Sequence, residues 1–287
     1  MIHMSEAPSL PQVAVFGLGI IGSRAADHIA SAGYPITTWS RTPRDRADFE
    51  SDPLNVARNA DIIACYLKDV TAVRDVFEEI RDSLGADQVF VNHATIDHDT
   101  TEYLVSECVR AGCGFLNAPF TGSKVAAGNA SLVYYAGGDA GILENLRPFL
   151  EVTSTRIMEV SSPLAATILK LTTNLITAST VQALAEGLKI NLAHGISAET
   201  YLESIEPNAC ASALASMKVL SMAEGDYDPH FSLSNMLKDS RYMIDLAKRA
   251  DLETPGIANT ANQMQKRNDM GEGDYDFSVL FKQFEGS

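Results

Sequence analysis

The sequence predicts an α/β fold with a Rossmann-type, doubly wound N-terminal domain, a long interdomain helix and an all-helical C-terminal domain. Short apolar runs alternate with helical patterns in the first half, a glycine-rich turn follows the first run, and strand signals fade after about residue 162. Repeated β-α-β units imply a parallel sheet with helices on both faces. The predicted domains are residues 1–161 and 162–287.

The strands are predicted at residues 12–16, 36–39, 61–67 and 88–92. Helices are expected from the glycine-rich turn to residue 32, with Gly33 as C-cap, and over residues 71–84. In the second half, glycines and prolines separate consecutive helical stretches. Ser162 as N-cap and Pro163 at the first helical position open a helix that is predicted to run to residue 194 and connect the domains.

Composition and charge exclude several classes of protein. The chain has 287 residues, 46% hydrophobic and 21% charged, which is ordinary for a globular protein. A net charge of -15 argues against a nucleic-acid or anionic-membrane partner, because phosphates would be repelled. The four cysteines lack metal-ligand spacing, so no metal site and no disulfide framework are predicted.

No membrane or export segment is predicted. The N-terminus lacks a basic region followed by an apolar core, so it is interpreted as a short loose tail and not as a signal peptide. The most apolar stretch, residues 163–184, is interrupted by Lys170 and several threonines, which favours a buried helix over a membrane span. We therefore expect a cytoplasmic protein with free thiols.

The motif GLGIIG predicts a dinucleotide site, because it directly follows an apolar strand and opens a helix. Gly17 makes the turn, Gly19 allows backbone to approach a pyrophosphate, and Gly22 permits close helix packing. The alternative is a glycine-rich turn without a ligand. The residues predicted to bind the cofactor here are Gly17, Leu18, Gly19, Ile20, Ile21 and Gly22, with Leu67 at the end of the third predicted strand.

The end of the second strand favours NADP over NAD. An acidic residue there would bind the ribose hydroxyls of NAD, but the chain carries Ser40, Arg41 and Thr42. Arg41, Thr42 and Arg44 could bind a 2′-phosphate, and no carboxylate would repel it. The alternative is that these arginines only solvate a loop.

Lys170 is the candidate catalytic residue. It is the only charged residue between Glu159 and Glu186, and it lies in a long apolar helix. Helical spacing puts Thr167, Asn174 and Thr177 on its face. Partial burial should lower its pKa and allow proton transfer near neutrality. The alternative is a lysine whose stem covers apolar surface.

Several motifs, in order along the chain, resemble those of the β-hydroxyacid dehydrogenase family, which includes 3-hydroxyisobutyrate dehydrogenases and glyoxylate/succinic semialdehyde reductases. The similarity runs nearly end to end. The motifs are VAVFGLGIIG at 13–22, WSRT at 39–42, HATID at 93–97, NAPFTGSKVAAGNASLVYYAGGD at 117–139, KLTTN at 170–174, and FSLSNMLKDSRYMIDLAKRA and GDYDFSVL near the C-terminus.

The resemblance implies hydride transfer between NADPH and a small carboxylate-bearing aldehyde or ketone. Lys170 would be the acid/base and Asn174 would orient the substrate. Thr95 would lie near the nicotinamide ribose, and Lys238 near both substrate and cofactor. The segment that would hold the substrate carboxylate is Thr121, Gly122 and Ser123.

Each of these roles has a structural alternative. The residues after Pro119 could form an ordinary glycine-containing turn. Lys238 could be a solvated helix lysine paired with an acid, and Asn174 could be a hydrogen bond between helices.

The chain also departs from the family pattern. Ile21 replaces the usual Met, and Asn117 replaces the usual Asp. Leu164 and Ala166 replace glycines that commonly precede the lysine, while Phe120 and Thr121 stand where Val and Ser are common. Larger side chains at these positions make the substrate the least determined feature.

Two other functions remain open at this point. One is an imine reductase, whose members share the nucleotide domain and helical half but usually lack the lysine. The other is a non-catalytic, nucleotide-binding paralogue. In each case the apolar helix is expected to need a partner, so we predict a homodimer or homotetramer.

Overall fold

A computed structural model describes residues 10–284 of the chain. Most of the predicted loose N-terminal tail lies outside these residues. The chain forms two compact units, one ending at Lys170 and one beginning at Leu171. The division falls inside a helix, because that helix supplies buried side chains to each unit in turn.

The N-terminal unit contains every strand found in the described residues. The strands are β1 (Val13–Phe16), β2 (Ile36–Trp39), β3 (Ile62–Cys65), β4 (Val89–Asn92), β5 (Gly114–Asn117), β6 (Phe120–Thr121), β7 (Leu132–Gly138) and β8 (Ser154–Val160). Its helices are α1 (Ile20–Ser31), α2 (Pro53–Arg58), α3 (Val70–Ile80), α4 (His98–Ala111), α5 (Lys124–Gly128) and α6 (Ala140–Glu151).

The four predicted strands are confirmed, with ends that shift by up to two residues. Helix α3 ends at Ile80, and the remainder of the predicted helix is a 3₁₀ turn, Arg81–Ser83. The C-cap of α1 is Ala32 and not Gly33 as predicted; Gly33 follows it with a φ of 88°, the left-handed conformation that glycine favours just after a helix.

The sheet has eight strands in the order β2-β1-β3-β4-β5-β7-β6, with β8 on the other edge of β7. Strands β1 to β5 are parallel, as predicted. However, β7 runs antiparallel to both β5 and β6, so the sheet is mixed beyond the strands that were predicted. The chain returns from β6 to β7 through the five-residue α5, which is too short for a parallel crossover.

Alternate residues of β1 enter two separate cores, which is why the strand is apolar throughout. Val13 and Val15 pack in a cluster with α1 and α6 residues. Ala14 and Phe16 pack in a cluster with α2, α3 and α4 residues. The doubly wound arrangement is therefore confirmed.

Helix α7 (Pro163–Ala193) begins in the N-terminal unit and continues into the C-terminal one. Its start was predicted correctly, and Ser162 Oγ accepts the N–H of Ala165. Among the described residues, α7 is the helix long and apolar enough to cross a bilayer. Ala178, Val181 and Leu188 are nevertheless fully buried in the core of the C-terminal unit, as in the core helix of a globular protein.

The C-terminal unit is helical throughout its described part. Its helices after α7 are α8 (Ala198–Ile205), α9 (Ala213–Glu224), α10 (Leu233–Arg249) and α11 (Pro255–Arg267), followed by a π-helical segment (Asn268–Glu272) and a 3₁₀ segment (Phe277–Phe284). A buried ion pair joins α9 to the residue just before the 3₁₀ segment, since Lys218 Nζ lies 2.7 Å from Asp276 Oδ1.

Candidate active site

The carboxyl ends of the parallel strands form the edge of the sheet where the predicted cofactor residues meet. Backbone bonds link these ends in sequence: Gly17 N donates to Trp39 O, Tyr66 N to Phe16 O, and His93 N to Cys65 O. Strand order reverses between β1 and β3, because β2 lies on one side of β1 and the later strands on the other. Ligands of doubly wound folds bind at such a switch point.

The glycine-rich loop lies at this switch point and has the geometry predicted for Gly17 and Gly22. Gly17 has a φ of 102°, and a Cβ there would lie 2.5 Å from Tyr66 O. A Cβ on Gly22 would lie 1.9 Å from Gly17 O. Both positions therefore require glycine for packing within the protein itself.

Gly19 is different, because nothing in the protein occupies the space in front of it. It is the N-cap of α1, has a φ of -76°, and an added Cβ would meet no atom within 4 Å. No side chain caps the first turn of α1, whose N–H groups face the same side. This open cradle fits a dinucleotide pyrophosphate, which needs close backbone approach and N–H donors.

A cavity of about 490 Å³ adjoins Gly19 and carries positive charge. Arg24 and Arg44 both line it, and neither forms an ion pair with any residue in 10–284, although Arg24 Nη1 donates a hydrogen bond to Ile20 O. The residues that line the cavity are Leu18, Gly19, Ile20, Ser23, Arg24, Arg44, Asp45 and Arg46.

Arg46 is already engaged within the protein. It lies 2.9 Å from Asp48 and 2.7 Å from Asp27. The hydrogen bonds that Arg46 donates to Asp48 and to Asp27 raise the pKa of Arg46 despite its partial burial. Arg46 therefore braces the loop after β2, and it leaves Arg24 and Arg44 as the cations facing the cavity.

The residues predicted to select NADP lie beside this cavity on an exposed loop. Ser40 Oγ donates a 2.7 Å hydrogen bond to Thr42 O, which tightens the turn after β2. Arg41 is exposed and is not among the cavity-lining residues, whereas Arg44 is.

Leu67 and Thr95 lie just past the ends of β3 and β4. Leu67 approaches the glycine loop, since its Cδ2 would lie 3.2 Å from a Cβ on Gly17. Thr95 is half-buried, two residues before Asp97, which caps α4. The structure thus gathers Leu67, Thr95 and the glycine loop at one edge of the sheet.

His93 is a neutral, buried ring beneath this edge. It stacks on Tyr66 with ring centroids 4.4 Å apart, and its Nδ1 lies 2.8 Å from Ala118 O. Burial lowers the pKa of His93 to about 4, although the bond to Ala118 O opposes the shift. Nδ1 therefore donates to that carbonyl, and Nε2 has no hydrogen-bond partner among the described residues.

The segment predicted to hold a substrate carboxylate forms an open turn. Thr121 ends β6, and Gly122 has a φ of 138°, which favours glycine. Ser123 caps α5 by accepting from Val125 N at 3.3 Å. The hydroxyls of Thr121 and Ser123 are both half-buried and on one short stretch.

Lys170 is buried, with only 9% of its surface exposed. It lies on α7, one turn after Thr167, which is also buried. A charged side chain with so little solvent needs polar neighbours or a functional reason. The acid/base role was predicted on the assumption that Lys170 is at least partly buried, and it is buried.

In the C-terminal unit, Asn174 and Lys238 share one carboxylate. Asn174 Nδ2 donates a 2.7 Å bond to Asp239 Oδ2, and Lys238 Nζ lies 2.8 Å from Asp239 Oδ1. Asp239 is fully buried and Asn174 is 7% exposed. The bond between α7 and α10 matches the alternative interpretation of Asn174, and the Lys238–Asp239 pair matches that of Lys238.

Sequence reasoning missed Ser23, Arg24 and Asp239. Ser23 and Arg24 follow the glycine motif by one and two residues, and a basic residue this close to a phosphate loop was a usable signal. Asp239 is adjacent to Lys238 in an amphipathic helix, but its burial was not readable from that pattern.

Family models cover nearly the whole described chain. A model described as the NAD binding domain of 6-phosphogluconate dehydrogenase matches residues 12–161, more than half of the chain. A second, described as NAD-binding of NADP-dependent 3-hydroxyisobutyrate dehydrogenase, matches residues 165–284. The chain belongs to the β-hydroxyacid dehydrogenase family. This confirms the predicted family and its nicotinamide-dinucleotide-binding domain.

Curated relatives of this β-hydroxyacid dehydrogenase family member include proteins of different kinds. Cytokine-like nuclear factor N-PAC of Mus musculus is 27% identical over 291 residues, which are 99% of the chain and 53% of that protein. The chain thus spans about half the length of N-PAC. Glyoxylate/succinic semialdehyde reductase 2, chloroplastic, of Arabidopsis thaliana is 27% identical, covering 94% of the chain and 78% of that protein.

Solved structures share the fold of this family member. The 3-hydroxyisobutyrate dehydrogenase of Mycobacterium tuberculosis, with L-serine, has a TM-score of 0.87 at 21% identity, covering 96% of the chain and 100% of that structure. An imine reductase from Pseudomonas sp. has a TM-score of 0.64 at 19% identity, covering 96% of the chain and 99% of that structure.

Proposed function

We propose that the chain is an NADP-dependent oxidoreductase acting on a small carboxylate-bearing aldehyde or ketone, and on the corresponding alcohol in reverse. The observation that carries the proposal is the buried Lys170 on α7, in a chain of the β-hydroxyacid dehydrogenase family. The semialdehyde reductase among the curated relatives supports the substrate class.

In this proposal Lys170 Nζ gives a proton to the carbonyl oxygen as the carbonyl carbon is reduced, and takes it back in the oxidation. When bound, NADPH supplies the hydride for the reduction. The hydroxyls of Thr121 and Ser123 and the backbone at Gly122 bind the substrate carboxylate. Asn174 and Lys238 orient the substrate, and Asp239 holds both side chains in place. Positioning and charge stabilisation supply most of the rate enhancement.

The preference for NADP rests on positive charge at the end of β2 and on α1. Arg41 was predicted from the loop sequence, while Arg24 and Arg44 line the cavity beside Gly19. The absence of a carboxylate among Ser40, Arg41 and Thr42 removes the usual partner of the NAD ribose.

The decisive experiment is a substrate panel with the purified protein, NADPH and NADH. The panel contains short semialdehydes, 2-keto acids and cyclic imines, and the readout is nicotinamide absorbance. Lys170→Met should lower turnover by about 10²-fold or more, while NADPH binding is retained. Lys189→Met, on the same helix, should leave turnover near wild type.

Each alternative predicts a different result. Reduction of cyclic imines without semialdehydes would identify an imine reductase. NADPH binding without turnover of any panel member would identify a nucleotide-binding paralogue. Near wild-type turnover in Lys170→Met would remove Lys170 from the mechanism.

We also infer a cytoplasmic homo-oligomer, a dimer or tetramer. Ile176 and Ile190 on α7 are 64% and 61% exposed, which supports a partner over the C-terminal part of this helix. All four cysteines are free thiols, which supports a reducing compartment. Light scattering of the purified protein would measure the mass of the assembly.

A further inference from the structure

A chain of buried hydrogen bonds begins at the carboxyl ends of β4 and β5. Asn92 Nδ2 donates to Asn117 Oδ1 at 2.8 Å and to Ala94 O at 3.0 Å. Ala94 N donates back to Asn92 Oδ1 at 3.2 Å. The side chains that end these two neighbouring strands are therefore hydrogen-bonded to each other. Both amide protons and the amide oxygen of Asn92 have partners.

The chain continues from Asn117 into the first turn of α7. Asn117 Nδ2 donates to Pro163 O at 2.8 Å and to Thr167 Oγ1 at 2.9 Å. Thr167 Oγ1 lies 2.7 Å from Thr101 Oγ1. Thr101 Oγ1 in turn donates to Asp97 O at 2.8 Å. The start of α7 is thereby bonded to β5 and to α4.

One set of proton directions satisfies every bond in this chain. The Thr101 hydroxyl donates its single proton to the carbonyl of Asp97, and Thr167 then donates to Thr101. Thr167 then accepts from Asn117, whose two amide protons are both used. Only an amide at position 117 can supply two donors and one acceptor here. All four side chains, of Asn92, Thr101, Asn117 and Thr167, are 2% exposed or less.

A backbone contact fixes the same end of α7. A Cβ on Gly137 of β7 would lie 2.1 Å from Ser162 O, so β7 lies directly against the residue that caps the helix. The first turn of α7 is thus held on two sides by the sheet. Because side chains at i and i+3 share a helix face, any rotation of Thr167 also moves Lys170.

We propose that Asn117 and Thr167 are positioning residues for Lys170: their directed hydrogen bonds set the rotation of the first turn of α7 and thereby the placement of the lysine amine. The role rests on the proposed function of Lys170. It also explains why an amide is suited to position 117. A carboxylate could not donate to Pro163 O, and it would face that carbonyl oxygen with a like partial charge.

Isosteric substitutions test the proposal. Thr167→Val removes the hydroxyl and keeps the shape, Thr167→Ser keeps the hydroxyl, and Asn117→Asp removes both amide donors. Thr172→Val, on the exposed side of α7, is the matched control. Turnover is measured with the best substrate of the panel. NADPH binding is measured by quenching of Trp39, the only tryptophan in the sequence.

Thr167→Val and Asn117→Asp should lower kcat by about tenfold or more, since an error near 1 Å in a catalytic group costs up to about 10²-fold. NADPH affinity should change by less than about twofold, and Thr167→Ser should restore most of kcat. A general loss of folding would not produce this separation. Equal kcat values for Thr167→Val and Thr167→Ser would overturn the proposal.

Hydrogen exchange supplies a readout that needs no turnover. In Thr167→Val and Asn117→Asp, amides of residues 164–170 should exchange faster than in Thr167→Ser and Thr172→Val. Unchanged exchange would overturn the positioning role even in an active enzyme. Absence of turnover in the wild-type protein would instead overturn the proposed function. Hydrogen exchange in the variants would still test the hydrogen-bond chain.

Discussion

Asn174 and Asp239 lie 65 residues apart in sequence and are joined by a buried 2.7 Å hydrogen bond between α7 and α10. The other oxygen of the same carboxylate lies 2.8 Å from Lys238 Nζ. The two C-terminal residues proposed to orient the substrate are thus coupled through Asp239. A change at Asp239 should affect both of them.

Asp239→Asn should lower kcat/KM for a carboxylate substrate by about tenfold and destabilise the protein by roughly 1–3 kcal/mol. The loss is smaller than for a fully buried pair, because Lys238 retains partial access to water. Steady-state kinetics and urea unfolding measure the two effects. Asp245→Asn, exposed on the same helix, is the control. Kinetics equal to those of this control would show that Asp239 does not position Lys238.

Gly19→Ala should weaken NADPH binding by about tenfold or more without changing stability. The new methyl group would enter space that the protein leaves open, and the backbone at Gly19 is allowed for alanine. Thermal unfolding and Trp39 quenching measure stability and binding. Gly85→Ala, another position with no atom within 4 Å, should alter neither.

Gly22→Ala, in the same motif, should have the opposite effect and lower stability. Its Cβ would overlap Gly17 O, so the folded protein itself should be destabilised, with or without NADPH. Normal NADPH binding by Gly19→Ala would contradict the assignment of this loop to the pyrophosphate.

Arg24→Gln and Arg44→Gln should each weaken NADPH binding by about tenfold and leave NADH binding unchanged. A charge-assisted bond to the 2′-phosphate contributes about 1.5–3 kcal/mol, and NADH lacks that phosphate. Titration of both nucleotides against Trp39 fluorescence measures the difference. Arg58→Gln, exposed at the end of α2, is the control. Loss of NADPH selectivity in Arg41→Gln alone would place the phosphate at Arg41 instead.

We predict that, because of His93, the free energy of unfolding decreases as pH is lowered from 6.5 to about 4. Burial lowers the pKa of His93 to about 4 from an ordinary value of 6.5. In that range the unfolded chain takes up a proton that the folded chain cannot. The contribution of neutral His93 to stability is therefore full above pH 6.5 and decreases as pH falls. By pH 5 this group should cost roughly 2 kcal/mol of the free energy of unfolding.

Urea unfolding at pH 7.5 and 5 checks this dependence. His93→Phe keeps an aromatic ring on Tyr66, so the difference between the two pH values should shrink even if stability at pH 7.5 also changes. His194→Phe, exposed after α7, should retain the wild-type difference. An equal pH dependence in His93→Phe and wild type would show that His93 is not the group responsible.

Lys218→Met should destabilise the protein by about 3–5 kcal/mol, because it leaves the buried charge of Asp276 without its partner. Burial raises the pKa of Asp276, but the charge and hydrogen bond of Lys218 together with bonds from Ser278 bring it below its ordinary value. The Asp276 carboxylate therefore stabilises the fold above the pKa that it has in the unfolded chain. This stabilisation is lost as pH falls through its lower pKa in the folded protein.

The urea midpoint of Lys218→Met at pH 7.5 measures this loss. Lys248→Met disrupts the exposed pair with Asp245 and should have little effect. A loss no larger than that of Lys248→Met would mean that Asp276 is stabilised by its backbone bonds alone.

The sequence by itself determined the features that depend on near neighbours. The apolar runs that form β1 and β3, the glycine motif and the Ser162–Pro163 start of α7 each follow from local propensity and period, and all were predicted in place. The order of several family motifs along the chain likewise indicates the dinucleotide-binding domain.

Only the tertiary structure decided which distant residues meet. The reversal of β7 against β5, the pairing of Asn117 with Thr167 across 50 residues, and that of Asn174 with Asp239 have no periodic signature in one sequence. Each depends on how separate elements pack, and packing is set by the sum of many contacts along the chain.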